Sequence, residues 1–195
     1  MSEIKVGQAA PPFTLASGQG PAVSLTSYHG RTHVILWFTK GMGCPFCRSQ
    51  MSQLARGEPR LKALGAEIVQ VSHSPVERAA FYVQRFRVPF TYLCDPDYTV
   101  HRQWGLDVRD HSLAWYAGSF VTAVRMTKPT SDLGDPGMTL GDIRNNLRDT
   151  DTGLFVIDRG GVVRYAMVSS YMTPEYQPHG IPTVDELAKE LERLG

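Results

Sequence analysis

Cysteine is scarce and odd in number, three among 195 residues, which excludes the paired disulfide framework of a small secreted domain. No apolar run approaches the ~20 residues that cross a bilayer. The opening Met1-Ser2-Glu3-Ile4-Lys5 carries no hydrophobic stretch of the length a secretory leader needs. Excess charge is missing too: 20 Lys and Arg stand against 19 Asp and Glu, a formal net charge of +1. Neither nucleic acid nor a membrane surface is favoured as a partner by such a balance. No internal repeat, low-complexity tract or polar linker breaks the chain. What remains is a globular protein expected to form one domain over 1–195 in a reducing, cytoplasmic compartment. Its hydrophobic content of 42% is enough for a real core.

The apolar pattern gives an order of elements. Val34-Ile35-Leu36-Trp37-Phe38 is an unbroken apolar run, the mark of a strand buried on both faces. Gly41-Met42-Gly43 separates it from a helical pattern in which Cys47, Met51 and Leu54 share a face. Ile68 to Val71 reads as a second strand. Ser74-Pro75-Val76-Glu77 then combines an N-cap serine, proline at the first helical position and glutamate three residues after the cap. That helix carries Val76, Ala79, Ala80 and Val83 until Pro89 stops it. Phe90 to Leu93 is a third strand, and Asp95-Pro96-Asp97 turns into a short helix ending near Gly105. Leu154 to Ile157 and Val162 to Val168 flank a Gly-Gly turn as an antiparallel hairpin. Thr183-Val184-Asp185-Glu186 opens a last helix with Leu187, Leu191 and Leu194 as its seam. Ahead of all this, residues 1–30 read as a lead-in with a small hairpin. The sum is an α/β thioredoxin fold, a mixed central sheet flanked by helices, with an N-terminal extension and an insertion around 107–150. Within that insertion Leu113 to Met126 reads as helix or irregular apolar chain, and Pro129 to Gly141 as loop.

Chemistry concentrates at Cys44-Pro45-Phe46-Cys47, where a buried strand gives way to a helix. Only the thiolate is a nucleophile, and an ordinary cysteine is mostly protonated at neutral pH. At a helix N-terminus the unpaired N–H groups and the macrodipole favour the anion. Pro45 loses nothing there, having no N–H to leave unpaired. Lys40 and Arg48 add positive potential if they face the sulfur and nothing if they are solvated. On this reading Cys44 attacks a disulfide or a peroxide O–O bond. Cys47 then resolves the intermediate, and an external thiol reductant, thioredoxin- or glutathione-like, reduces the resulting disulfide. Two rival readings are a zinc half-site and a pair of inert thiols. Zinc needs four ligands, and no second spaced pair of Cys or His accompanies Cys94 and the six histidines. No cofactor is implied.

Several spaced stretches resemble one family. They are Val6 to Leu15, Gly43 to Arg48, Val71-Ser72 to Pro75, Val88-Pro89-Phe90 through Asp97 to Trp104-Gly105, and Leu154 to Asp158 with its turn. Residues 5–168 resemble the peroxiredoxin-like branch of the thioredoxin superfamily, the alkyl hydroperoxide reductase and thiol-specific antioxidant group. The resemblance implies that Cys44 is the peroxidatic cysteine, that Cys47 is its resolving partner, and that homodimers form. The chain also departs from that family. Typical members hold a proline seven residues and a Thr or Ser three residues before the cysteine, where this chain has Trp37 and Gly41. An arginine usually stands where Thr152 is, with Arg148 as the nearest substitute. No proline precedes Leu154, where thioredoxins carry theirs. These departures tilt the expectation toward general thiol–disulfide exchange over peroxide reduction. The alternative is a non-enzymatic redox sensor or binding module on the same fold.

Other conspicuous residues have simpler readings. Cys94 reads as a buried bystander, and His73 as a solvated or capping loop residue. Trp104, Trp115, Tyr116 and Phe120 suit core packing as well as they suit a substrate groove or dimer face. Asp158-Arg159-Gly160-Gly161 is a hairpin turn.

Overall fold

The computed structural model describes residues 4–109, 149–170 and 181–195, together with Ser112, Ala114, Asp132 and Leu133. Among the described residues eight strands form one mixed sheet. In chain order they are β1 (Thr14–Ser17), β2 (Gly20–Ser24), β3 (His33–Thr39), β4 (Ala66–Ser72), β5 (Thr91–Cys94), β6 (Val108–Arg109), β7 (Asp149–Ile157) and β8 (Val163–Ser170). The helices of these residues are α1 (Pro45–Ala63), α2 (Val76–Phe86), α3 (Thr99–Gln103) and α4 (Val184–Glu192). Strands run in the order β2-β1-β5-β4-β3-β7-β6, with β8 also paired to β7.

The three central strands β3, β4 and β5 are parallel, as the helical crossovers between them require. β7 returns antiparallel against β3, with Phe38 opposite Gly153. The start of β7 therefore lies beside the end of β3, a placement that matters for the site. The expected N-terminal hairpin is present as β1 and β2, but it is more than a lead-in. β1 pairs with β5 and extends the sheet.

Every residue of β3 is buried, and alternate side chains serve two cores. Ile35 and Trp37 face a cluster with Met51, Leu54, Tyr92 and Leu187, under α1, α2 and α4. Val34, Leu36 and Phe38 face the other cluster, with Phe13, Trp104 and Phe155, under the N-terminal segment and α3. Each large apolar side chain so enclosed is worth about 1.5–3 kcal/mol of transfer free energy. Trp104 is therefore a core residue, stacked among Phe13, Phe38 and Phe155. Trp115, Tyr116, Phe120 and most of the 107–150 insertion lie outside the described residues.

Helix boundaries agree with the sequence signals at two ends of three. Thr183 and Glu186 form the expected reciprocal capping box. Pro45 opens α1, with Cys44 as N-cap. At α2 the cap is Pro75 itself, not Ser74, because the Ser74 hydroxyl is taken up by the Tyr92 phenol at 3.2 Å. No helix among the described residues is long and apolar enough to cross a membrane.

Candidate active site

Cys44 sits at the C-terminal edge of the parallel strands, where α/β sheets bind ligands. β3 ends at Thr39, the chain crosses Lys40 to Gly43, and α1 begins at Pro45. The backbone of Cys44 is extended (φ −93°, ψ 121°), and its Sγ accepts the Cys47 N–H at 3.4 Å. Cys44 is thus the N-cap of its own helix, and its sulfur takes the place of a capping oxygen. No acidic residue stands in the first turn of α1, and Arg60 and Lys62 complement its last, so the positive end of the dipole meets the sulfur unopposed.

Both cysteines are buried, Cys44 at 7% exposure and Cys47 at 0%, with Phe46 packed against them. Neither is in a disulfide. The Cys44 thiol is pulled from its ordinary 9.0 to about 7. The largest cause is the Cys47 side chain, hydrogen-bonded to the Cys44 sulfur; burial opposes it; the Cys47 amide, the Lys40 charge and the Phe46 amide add to it. Near neutral pH a large share of Cys44 is therefore thiolate, which is the reactive form.

Lys40 and Arg48 are not solvated. They are 5% and 8% exposed. Burial pulls the Lys40 ammonium down, while Cys44, Cys47 and Asp149 hold its charge in place. Arg48 donates from Nη1 to the Met42 carbonyl at 2.8 Å, gripping the turn that carries Cys44. A buried cation beside a thiolate is the arrangement that stabilises developing negative charge.

Thr152, standing where the family arginine is expected, is committed to the sheet. Its hydroxyl donates to the Phe38 carbonyl at 2.6 Å. Arg148 lies outside the described residues. A polar cluster that the sequence did not disclose adjoins the start of β7. Arg109 donates to Asp151 at 2.9 and 3.1 Å, to Asp107 at 3.1 Å and to Asp149 at 3.4 Å. It went unseen because Arg109 and Asp149 lie 40 residues apart, at the two ends of the segment with the weakest periodicity.

The remaining candidates separate. Cys94 is buried at the end of β5, and burial followed by the Glu77 charge pushes its thiol up to about 11, as befits an inert bystander. His73 is 3% exposed with its ring 5.2 Å from that of Tyr98, so the solvated reading is wrong. Ser72 and Ser74 on either side of it are buried as well. Beside it Asp95 and His101 form a buried pair, Oδ2 to Nδ1 at 2.6 Å. Among the described residues no group of three or more His, Cys, Asp or Glu side chains gathers as a metal would need.

Comparison with known proteins gives this geometry a context. The model of the AhpC/TSA family matches residues 6–166. The chain belongs to that family. Among curated AhpC/TSA-like relatives, a chloroplastic peroxiredoxin Q from Sedum lineare is 30% identical over 105 residues, 54% of this chain and 56% of that protein. A putative peroxiredoxin bcp from Haemophilus influenzae is 31% identical over 106 residues, 54% of this chain and 68% of that one. The match thus spans about half of the plant relative and two thirds of the bacterial one. Among solved structures, peroxidoxin BcpB from Mycobacterium tuberculosis superposes with a TM-score of 0.66 at 17% identity, covering 99% of both chains. That likeness shows the fold, and the mixed sheet flanked by helices expected of the AhpC/TSA family is the one observed.

Proposed function

We propose that this protein is a thiol-dependent peroxidase in which Cys44 is the nucleophile and Cys47 the resolving cysteine. The carrying observation is the Cys44 sulfur at the N-cap of α1, hydrogen-bonded by the Cys47 amide and thiol and drawn to about 7. The names of the relatives support peroxide as substrate in preference to the general thiol–disulfide exchange that the departures at Trp37, Gly41 and Thr152 suggest. They also weigh against a non-enzymatic sensor.

Cys44 thiolate attacks one peroxide oxygen; the O–O bond breaks, Cys44 becomes a sulfenic acid, and the leaving oxygen takes a proton as alcohol or water. Cys47 sulfur then attacks the Cys44 sulfur, forming the disulfide and releasing water. One dithiol of the thioredoxin class, or two monothiols of the glutathione class, returns both thiols and leaves as the oxidised disulfide. Lys40 supplies the buried positive charge that the missing family arginine would otherwise bring. Three thiols outside any disulfide suit a reducing, cytoplasmic setting.

The test is stopped-flow oxidation of reduced protein by hydrogen peroxide and, separately, by a small disulfide, with thiols counted by mass spectrometry. Loss of two thiols per chain, abolished in Cys44→Ser and arrested at a trapped one-cysteine adduct in Cys47→Ser, is the expected result. A rate no faster than that of a free thiol with either oxidant rejects the enzymatic reading. Faster reaction with the disulfide than with peroxide reassigns the substrate.

A further inference from the structure

The turn that presents Cys44 is clamped at a single peptide. Cys44 N–H closes the turn on the Gly41 carbonyl at 3.1 Å, and Gly41 N–H donates to Thr39 Oγ1 at 3.2 Å. Between them lies Met42, whose side chain is wholly buried. Its carbonyl is held by Arg48. The phenol of Tyr92, a residue from β5, two strands away, lies against this turn at Gly41.

Tyr92 is 0% exposed. Ser72 donates to the phenol oxygen at 3.0 Å, which leaves the phenol's own proton to Ser74 Oγ at 3.2 Å. Ser74 N–H in turn donates to Ser72 Oγ at 3.2 Å. One hydroxyl therefore joins the end of β4 to the entry of α2, against the Cys44 turn. A buried hydroxyl with both bonds made is held in place, and losing either leaves an unpaired polar group.

Gly41 completes the arrangement. Its φ of +79° belongs to the left-handed region, and a Cβ built there would lie 2.5 Å from the Tyr92 hydroxyl oxygen, with Ser74 Oγ at 3.0 Å and Ser72 Cβ at 3.2 Å. Any side chain at 41 displaces the phenol. Turn and phenol are mutually exclusive with a larger residue at this place.

We propose that Tyr92 is a positioning residue for the Cys44 nucleophile, delivering from β5 a hydroxyl that packs against Gly41, whose carbonyl accepts the Cys44 N–H, and that glycine at 41 is the space this hydroxyl requires. The consequence for catalysis rests on Cys44 being the nucleophile; the positioning itself does not.

The experiment follows Cys44 thiolate formation in Tyr92→Phe by absorbance near 240 nm and by pH-dependent alkylation, beside wild type and Tyr28→Phe. Tyr28 is a control phenol bonded to Thr91, at the start of β5, at 3.5 Å. Tyr92→Phe is expected to move the Cys44 titration midpoint upward by about 0.5–1 pH unit, the size of one lost ordering hydrogen bond. Tyr28→Phe is expected to leave it in place. An unmoved midpoint in Tyr92→Phe, or an equal movement in both, overturns the proposal. Because the titration needs no turnover, a protein inert toward peroxide and disulfide fails the functional reading without touching this one. Gly41→Ala is the second arm. Its strain at φ +79° is the same in either background and cancels in a double-mutant cycle, so the Ala substitution must cost less stability in Tyr92→Phe than in wild type. Strict additivity refutes the pairing of Gly41 with Tyr92. Should Tyr92→Phe not fold, Ser74→Ala removes the acceptor of its proton, and the same midpoint shift or its absence decides.

Discussion

The amide of Cys47 points at the sulfur of Cys44 across 3.4 Å, so one helical turn brings the donors of the helix end to the proposed nucleophile and holds its proposed resolving partner beside it. The same sulfur that needs negative charge to attack receives the donors of the helix end. Because Cys47 is fully buried, the second thiol is reached from within the helix and shielded from outside oxidants.

A pH dependence of stability follows from the Cys44 thiol. The folded value of about 7 lies below the ordinary 9.0, so the folded state gives up its proton first. Stability of the reduced protein therefore rises between pH 7 and 9, is complete above the unfolded value, and is lost as pH falls through the folded one. The full span is about 2–3 kcal/mol by linkage. Urea midpoints of wild type and Cys44→Ser across pH 6 to 9.5 should diverge in that window; parallel curves would show that Cys44 titrates normally.

Lys40→Met separates reactivity from stability. Lys40 is buried with Cys44, Cys47 and Asp149 around its charge, and removing that charge takes away part of what favours the thiolate. The alkylation midpoint should rise, with the rate at pH 7 falling about threefold to tenfold. Exchanging a buried ion for an apolar chain of similar length is often neutral or stabilising, and Asp149 keeps Arg109 at 3.4 Å. The expected pair of results is slower alkylation with no loss of thermal midpoint. Unchanged alkylation would remove Lys40 from the site.

What the sequence discloses is what local rules govern. The apolar run of β3, the capping box at Thr183 and the Cys-X-X-Cys motif each lie within a few neighbouring residues, and each appears where expected. Contacts that join distant segments stay hidden. Nothing near Tyr92 announces that its hydroxyl reaches Gly41, and nothing near Thr152 shows that its own hydroxyl is spent on Phe38. The Ser74 cap fails for the same reason: a local preference loses to a tertiary partner with a full set of hydrogen bonds. Burial of Lys40 and Arg48 is likewise invisible, since a charged residue after a strand is ordinarily solvated.

Gly57→Ala should loosen the seam between α1 and α4. A Cβ at Gly57 would stand 2.3 Å from Val184 Cγ2 and 2.7 Å from its Cγ1. Alanine gains roughly 1 kcal/mol of helix propensity over glycine, yet overpacking costs about 1–3 kcal/mol, so net destabilisation is expected. Val184→Ala in the same chain should restore part of the loss, read as the urea midpoint of the four proteins. The flanking ion pairs Arg56–Asp132 and Arg60–Asp185 are exposed and contribute little to the balance.

Thr152→Val decides whether the residue at the family's arginine position acts in chemistry or in the fold. Its hydroxyl donates at 2.6 Å to Phe38 O, at the end of β3 just before the turn to Cys44, and the residue is 1% exposed. Valine keeps the branched shape and removes the donor, leaving a buried carbonyl with one bond fewer. A loss of about 1–2 kcal/mol in stability is expected. The hydroxyl proton is already committed to the backbone, so none remains to offer a peroxide oxygen. Oxidation of Cys44 at pH 7 should therefore stay within about twofold of wild type, far from the 100-fold scale that removal of a charge-stabilising donor produces. A rate loss approaching that scale with stability intact would place Thr152 in the reaction; a stability loss with the rate preserved assigns it to the junction of β3 and β7, and leaves Lys40 as the cation on which charge development at the sulfur depends.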